Sequence, residues 1–288
     1  MATKNLDTTL NTKAKIKEIF IRAILYLQLA FMVTLVLLPI IFIVSSAFNE
    51  VQHISRIGLL PERLSLAAFE RLFTEHPFLQ WYGNTLFIAA MTTIFTVLFT
   101  STMGYVFGRF KFKGKKLSLI TVMVMQMFPS FMGMIALYVM FLEFGLLDNH
   151  WALILLYSAG AIPGNTWLIK GYLNSVPKEL DESAMLDGAS KFQIFWKIVL
   201  PLMKPIVSFI AFGAFMGPWM DFIFPRLVLR TNENLTLAVG LNDMISGNAQ
   251  DFTTFAAGAV LVAVPLVIFF YVNQKHIIEG ITAGANKG

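Results

Sequence analysis

The stretch from Glu182 to Pro205, ESAMLDGASKFQIFWKIVLPLMKP, sets carboxylates beside aromatic side chains in a polar insert between two long apolar runs. Asp181 and Glu182 stand near the front of one short helix, where the positive end of the helix dipole favours acids. Gly188 suits that helix's C-terminus, and Ser190 is a good N-cap for a second helix. Phe192, Phe195, Trp196 and Val199 then recur at helical spacing and make an apolar face. The chemistry on offer is recognition: charge pairing from Glu182, a bend at Gly188, and apolar burial by Phe192, Phe195 and Trp196. An amphipathic stretch lying on lipid would favour a basic polar face. Mixing Glu179, Asp181, Glu182 and Asp187 with lysines suits a protein surface better.

Catalytic chemistry finds little footing. His53, His76, His150 and His276 are scattered without metal-ligand spacing, and cysteine is absent. Residues Gly108 to Lys116 faintly resemble a phosphate-binding loop, but five residues separate the two glycines and Lys116 stands where Ser or Thr belongs. No catalytic residue and no metal site is expected.

The elements that must position the insert are membrane helices. The chain has 288 residues, of which 57% are hydrophobic and 14% charged, with a mean hydropathy of +0.69. A soluble domain of this length has no room to hide so much apolar surface, so an all-α, polytopic membrane protein is expected. A crossing helix needs roughly 20 mostly apolar residues. Six runs qualify, at 23–47, 84–107, 117–142, 151–170, 206–229 and 253–273. The net charge of +5 invites a nucleic-acid partner, but the placement of the charges argues against one. With the N-terminus in the cytoplasm, all of the 22 Lys and Arg except Arg56, Arg63, Arg71, Arg226 and Arg230 fall on the inner side. The positive-inside rule therefore puts both termini and the insert at 178–204 in the cytoplasm. The expected organisation is an inner segment 1–22, a spanning domain 23–273 with outer segments 49–83 and 230–252, and an inner tail 274–288. In the first outer segment, Trp81 and Tyr82 are placed as membrane-interface aromatics. The second reads as a long polar loop.

The insert resembles the EAA signature of permease subunits from binding-protein-dependent ABC importers: E-A-A, then D-G-A, an aromatic, and a closing L-P-x-x-x-P. Here it reads Glu182, Ser183, Ala184, then Asp187, Gly188, Ala189, then Phe192 and Phe195, then Leu200, Pro201 and Pro205. Ser183 replaces the family's usual alanine. Within that family the chain is most similar to the G-type permeases of maltose/maltodextrin importers. Gln126-Met127-Phe128-Pro129 and Gly280-Ile281-Thr282-Ala283-Gly284 extend the likeness.

The resemblance implies a six-span permease fold in a bacterial or archaeal cell membrane, with an oligosaccharide cargo of the maltose/maltodextrin type. It implies a second, non-identical permease, two cytoplasmic ATPase subunits and an extracytoplasmic sugar-binding protein. ATP and Mg would be bound by the ATPase subunits, and no cofactor by this chain. Glu182, Ser183, Ala184, Asp187, Gly188, Ala189, Phe192, Phe195 and Trp196 would couple to the ATPase. The tail, with Gly280, Thr282 and Gly284, would reach between the ATPase subunits. Asn242, Asp243, Ser246, Gly247 and Asn248 would meet the binding protein. A pathway for a neutral oligosaccharide needs hydrogen-bonding groups and aromatic faces, which Gln126 with Phe128 and Asn165 with Trp167 offer. Hydrogen bonding between helices is the alternative use of such residues. Two competing functions are a permease for another oligosaccharide, raffinose-type or galactan-derived, and an ion-coupled secondary sugar transporter. The latter predicts paired mid-membrane ionisable residues and inverted repeats, and neither is visible.

Overall fold

Long apolar runs without a strand-like alternation fold here as helices. The computed structural model describes residues 2–50, 58–61, 63–127, 130–246 and 251–285. In chain order the helices are α1 (Ala2–Ala47), α2 (Ala67–Thr74), α3 (Phe78–Arg109), α4 (Lys115–Met125), α5 (Met134–Glu143), α6 (His150–Leu173), α7 (Glu179–Leu186), α8 (Lys191–Ile194), α9 (Leu200–Leu202), α10 (Lys204–Met220), α11 (Ile223–Val228), α12 (Leu237–Ile245) and α13 (Phe252–Ala285). The β pairing among the described residues is one isolated bridge between Asn49 and Leu64. The all-α class follows.

Four of the six apolar runs become continuous helices, α1, α3, α6 and α13, each long and apolar enough to cross a membrane. The run 117–142 is not one helix. α4 stops at Met125 and α5 starts at Met134, led in by a 3₁₀ turn at Ser130–Gly133. The sequence supplies a reason: a proline at position 129 brings no N–H for a helical bond four residues back and disfavours helix at the residue before it. The run 206–229 is divided as well. α10 ends at Met220, Asp221 takes extended backbone, and α11 follows. Asp221 Oδ1 accepts the Ile223 N–H at 2.8 Å, and Oδ2 accepts the Tyr157 hydroxyl at 2.8 Å. This acid within an apolar run is therefore a cap and an interhelical acceptor.

α3 is the central post and packs against both α6 and α10. Its crossing with α6 is close because of Gly104 and Gly108. A Cβ at Gly104 would come within 2.3 Å of Ile169 Cγ2, and one at Gly108 within 2.9 Å of Leu173 Cδ1. Small residues four apart let membrane helices approach at backbone distance. One apolar core gathers around the start of α3, with Phe78, Trp81, Ile88, Leu153, Phe215 and Trp219. A second gathers around its end, with Tyr105, Ile169, Leu173, Phe195, Val199 and Met203.

Two expectations are corrected at the first core. Trp81 is not an interface residue. It is 4% exposed, packs on Gly240 where a Cβ would collide with its ring, and donates its indole N–H to the Asn232 carbonyl at 2.8 Å. The segment 230–252 is not a plain polar loop. Leu237, Leu241 and Met244 share one side of α12 and are buried. Asn84 donates to the carbonyls of Glu233 and Leu235, and Thr85 accepts the Leu237 N–H at 2.8 Å. In contrast, α1 leaves most of its large apolar side chains uncovered between Ile19 and Ile41, and touches the rest of the chain mainly along α13.

Gly104→Ala is expected to force α3 and α6 apart, at a cost of about 1–3 kcal/mol. Thermal unfolding of the solubilised protein should show a lower Tm, and Ile169→Ala in the same chain should recover most of the loss. An unchanged Tm for Gly104→Ala would contradict the close crossing.

Candidate functional site

Beyond α6 the chain builds a finger from α7, a turn, and α8 running into α9. The turn is fixed by backbone chemistry. Gly188 has φ +82°, the left-handed region that glycine enters without a side-chain clash. Its N–H bonds to the Met185 carbonyl at 3.1 Å, and the Ala189 N–H bonds to that of Ala184 at 2.9 Å. This is the double closure that ends a helix at a glycine. Ser190 then caps α8 reciprocally with Gln193. Ser190 Oγ accepts the Gln193 N–H at 3.3 Å, and Gln193 Oε1 accepts the Ser190 N–H at 2.8 Å. Between α8 and α9, residues Phe195–Val199 form a wide π turn. Pro201 has no N–H to offer the Lys197 carbonyl, which removes a regular helix bond there. The finger meets α10 at a bend of 79°.

The root of the finger is one buried cation. Arg109, the last residue of α3, brings Nε within 2.8 Å of Asp181 Oδ2, and the two side chains are 6% and 10% exposed. Its terminal nitrogens donate to the carbonyls of Leu173 at 3.3 Å, Val176 at 2.9 Å and Pro177 at 3.4 Å. Those carbonyls lie at and just past the end of α6, where the regular helix bonds run out; that of Leu173 also accepts the Val176 N–H at 3.3 Å. The cation suits the negative end of α6, and Asp181 in the first turn of α7 suits the positive end of that helix. One guanidinium thus ties α3, α6 and α7 together. Beside it is a cavity of about 370 Å³ lined by Tyr105, Lys111, Lys178, Asp181, Glu182 and Lys191 among others. Asp181 Oδ1 has no hydrogen-bond partner. Burial pushes the Asp181 carboxyl above the usual aspartate range; Arg109 draws it down and Glu182 pushes it up again. In the sequence, Arg109 is marked only as an inner-side charge. Nothing local in the sequence pairs it with Asp181.

The expected apolar face of the finger divides in two. Phe195 and Val199 turn inward with Ala184 and Ile194, and the Phe195 ring lies 5.1 Å from that of Tyr105. Phe192 is 72% exposed and Trp196 is partly exposed, their rings 6.0 Å apart. Glu182, Ser183, Asp187 and Gly188 are on the surface, and Ala189 is half-buried. Ala184 and Phe195 therefore hold the finger from inside. Leu186, 90% exposed, joins the outward set and is not among the residues that the sequence motif marks. Its signal in the sequence is an apolar residue directly before the Asp-Gly turn.

The remaining candidates are dispersed. Gly280, Thr282 and Gly284 fall on the last turns of α13, which continues unbroken to Ala285. Asn242 and Asp243 lie on α12, with Asp243 paired to Arg226 at 2.9 Å, and Ser246 follows at its end. Gly247, Asn248 and Phe128 lie outside the described residues. Asn165 lines a cavity of about 330 Å³ with Thr92, Tyr157, Phe209 and Phe212. Trp167 instead lines a separate cavity beside α4. Gln126 packs on Gly164, where a Cβ would fall 2.3 Å from its Nε2. Asn165 and Trp167 thus line different cavities, and Gln126 meets α6 at Gly164, the residue before Asn165. Near the first core, Asp148 accepts the N–H groups of Arg230 and Thr231 at 2.8 and 3.1 Å. Burial alone would raise its carboxyl, but these bonds and those from Thr231 and Asn234 side chains hold it below the usual range.

A family described as binding-protein-dependent transport system inner membrane component matches residues 100–282. The galactooligosaccharides transport system permease protein GanQ of Bacillus subtilis (strain 168) is 39% identical over 267 residues, covering 91% of this chain and 94% of that one. The maltodextrin transport system permease protein MdxG of the same organism is 40% identical over 264 residues, with 91% and 95% covered. The maltodextrin transport system permease protein MalD of Streptococcus pneumoniae (strain ATCC BAA-255 / R6) is 39% identical over 282 residues, with 97% and 100% covered. In solved structures the fold recurs in a bacterial ABC transporter involved in the import of the acidic polysaccharide alginate. There the TM-score is 0.77 at 24% identity, over 88% of this chain and 94% of that chain. This chain belongs to the family of binding-protein-dependent transport system inner membrane components, and is a multi-pass membrane protein.

Arg109→Gln is expected to destabilise the chain by about 3–5 kcal/mol, because it strands a buried carboxylate. Asp181→Asn should cost less, since Arg109 keeps its three carbonyl partners. Denaturation of the two variants side by side checks the order. The two aspartates should also give opposite pH trends. A carboxyl raised on folding holds its proton more tightly in the folded state, so Asp181 favours folding more as pH falls between its unfolded and folded values. Asp148, lowered on folding, contributes fully above the unfolded value and loses that contribution as pH falls through the folded one. Stability against pH for Asp181→Asn and Asp148→Asn, each relative to the parent, should show these opposite slopes.

Proposed function

We propose that the chain is one of two non-identical permease subunits of an ATP-driven importer, and that its finger docks in a cleft on a cytoplasmic ATPase subunit. The observation that carries this reading is the outward set of Leu186, Phe192 and Trp196 beside Glu182, held on a root that is locked to two spanning helices. Exposed apolar anchors ringed by charge are what a protein partner buries. A finger rooted through Arg109 in α3 and α6 passes a push from the ATPase directly to those helices. The positive-inside distribution supports a cytoplasmic finger and cytoplasmic termini. The uncovered apolar surface of α1 suits lipid and the second permease. Six crossings result when the broken α4–α5 segment and α10 with α11 each count as one. Hydrolysis of ATP, with its Mg, belongs to the ATPase subunits. ATP and the loaded binding protein then bias a two-state pathway toward its outward-open form.

The cargo on this reading is a neutral oligosaccharide of the maltodextrin type, as the relatives MdxG and MalD are named. A galactooligosaccharide cargo is the second reading, favoured by the equally similar GanQ. Competition between maltodextrins and galactooligosaccharides for uptake through the reconstituted importer separates the two.

Replacing Leu186 and Phe192 together by alanine should weaken co-purification with the ATPase by at least about thirtyfold, as loss of interface anchors does. The same double variant should keep the parent Tm, whereas Phe195→Ala should lower it. Full complex formation and uptake by the Leu186→Ala/Phe192→Ala variant would remove the docking role.

A further inference from the structure

A cavity of about 970 Å³ opens between the end of α3, the first turns of α4 and the end of α6, at the same end of the bundle as the finger. Lys115, Lys116 and Lys170 line it, and none of its lining residues is a carboxylate. Three arrangements there are unfavourable as they stand. Lys115 and Lys116 open α4, whose first turn holds no acid and has no side-chain cap, so two cations sit at the positive end of a helix. Burial, and then the fields of Lys170, Lys178 and Lys111, hold the Lys115 ammonium below the usual lysine range. The indole N–H of Trp167 is buried without an acceptor, while Lys170 Nζ lies 4.9 Å from the centre of its ring.

An anion in the cavity relieves the first two at once. The cavity's other wall says what the anion is attached to. Leu117 is 70% exposed, Ile120 43% and Phe112 42%, and Leu117 and Ile120 lead from the lysines along α4 into the apolar run. We propose that this cavity binds the phosphate headgroup of an anionic glycerophospholipid from the adjacent membrane leaflet, with an acyl chain lying along Leu117 and Ile120. The inference rests on the reading of the chain as a membrane permease with this end at the cytoplasmic face. Lys115 already donates to the Phe110 carbonyl at 2.9 Å and keeps two further N–H donors for a phosphate oxygen. Basic pockets between spanning helices on this side are suited to anionic headgroups. Lipid seated here bridges α4 to the ends of α3 and α6, the two helices that carry the finger.

The test uses the complete importer, purified with its partner subunits and exchanged into mixed detergent and lipid, with retained lipid counted by native mass spectrometry. Phosphatidylglycerol should be retained by the parent and phosphatidylcholine should not. The variant Lys115→Gln/Lys116→Gln/Lys170→Gln should hold phosphatidylglycerol at least about tenfold more weakly, whereas arginine at the three positions should preserve binding. Millimolar inorganic phosphate should not displace the lipid. Equal retention of phosphatidylglycerol by the glutamine variant, or equal retention of phosphatidylcholine by the parent, overturns the proposal. Full displacement by inorganic phosphate does so too, and makes the cavity a site for free anions. Should the triple variant fail to assemble, Lys116→Gln alone, at an exposed lysine, is read against the same outcomes. Sugar uptake by the parent, measured in parallel, tests the permease assignment separately.

Discussion

A single buried guanidinium organises the finger end of this protein. Taking Arg109 and Asp181 out of water is expensive, and their attraction offsets that cost only where geometry is close and the remaining donors are used. Here the terminal nitrogens of Arg109 meet the carbonyls of Leu173, Val176 and Pro177, at and just past the end of α6. Two deficits cancel: an ion that needs partners and a helix end that needs donors. The second core then forms around this point, because Tyr105, Ile169 and Leu173 on α3 and α6 are brought beside Phe195 and Val199 on the finger. The close crossing at Gly104 and Gly108 is part of the same arrangement, since it sets the spacing at which Arg109 reaches across.

The finger follows from this root. Its inside is apolar and tightly packed, its turn is closed by backbone bonds at Gly188 and Ser190, and its outside is left for a partner. The two faces of the element differ: Ala184 and Phe195 pack inward, while Glu182, Leu186 and Phe192 stay exposed. A docking role as proposed above would use only the second face, and the cavity with three lysines draws on the ends of the same two helices, α3 and α6.

How much of this was legible in the residues depends on range. Local chemistry read well. Gly188 and Ser190 announce the turn and its cap, and the long apolar runs at α1, α3, α6 and α13 announce helices. Interruptions read less well. Pro163 is carried inside α6 without a break, whereas the run holding Pro129 is split, and sequence alone does not rank the two. Long-range pairings were invisible. The union of Arg109 with Asp181, and the seat that Gly240 makes for Trp81, join segments far apart in the chain. The same limit holds for the pathway candidates: Asn165 and Trp167 stand two residues apart on α6, yet they line separate cavities.

The stop between α4 and α5 has a bearing on how the finished particle sits in its bilayer. Where a helical ladder is interrupted, amide and carbonyl groups lose their partners along the chain, and hydrocarbon tails supply none. Polar backbone at such a break calls for partners from elsewhere, which sets the join of α4 and α5 apart from the unbroken helices α1, α3, α6 and α13.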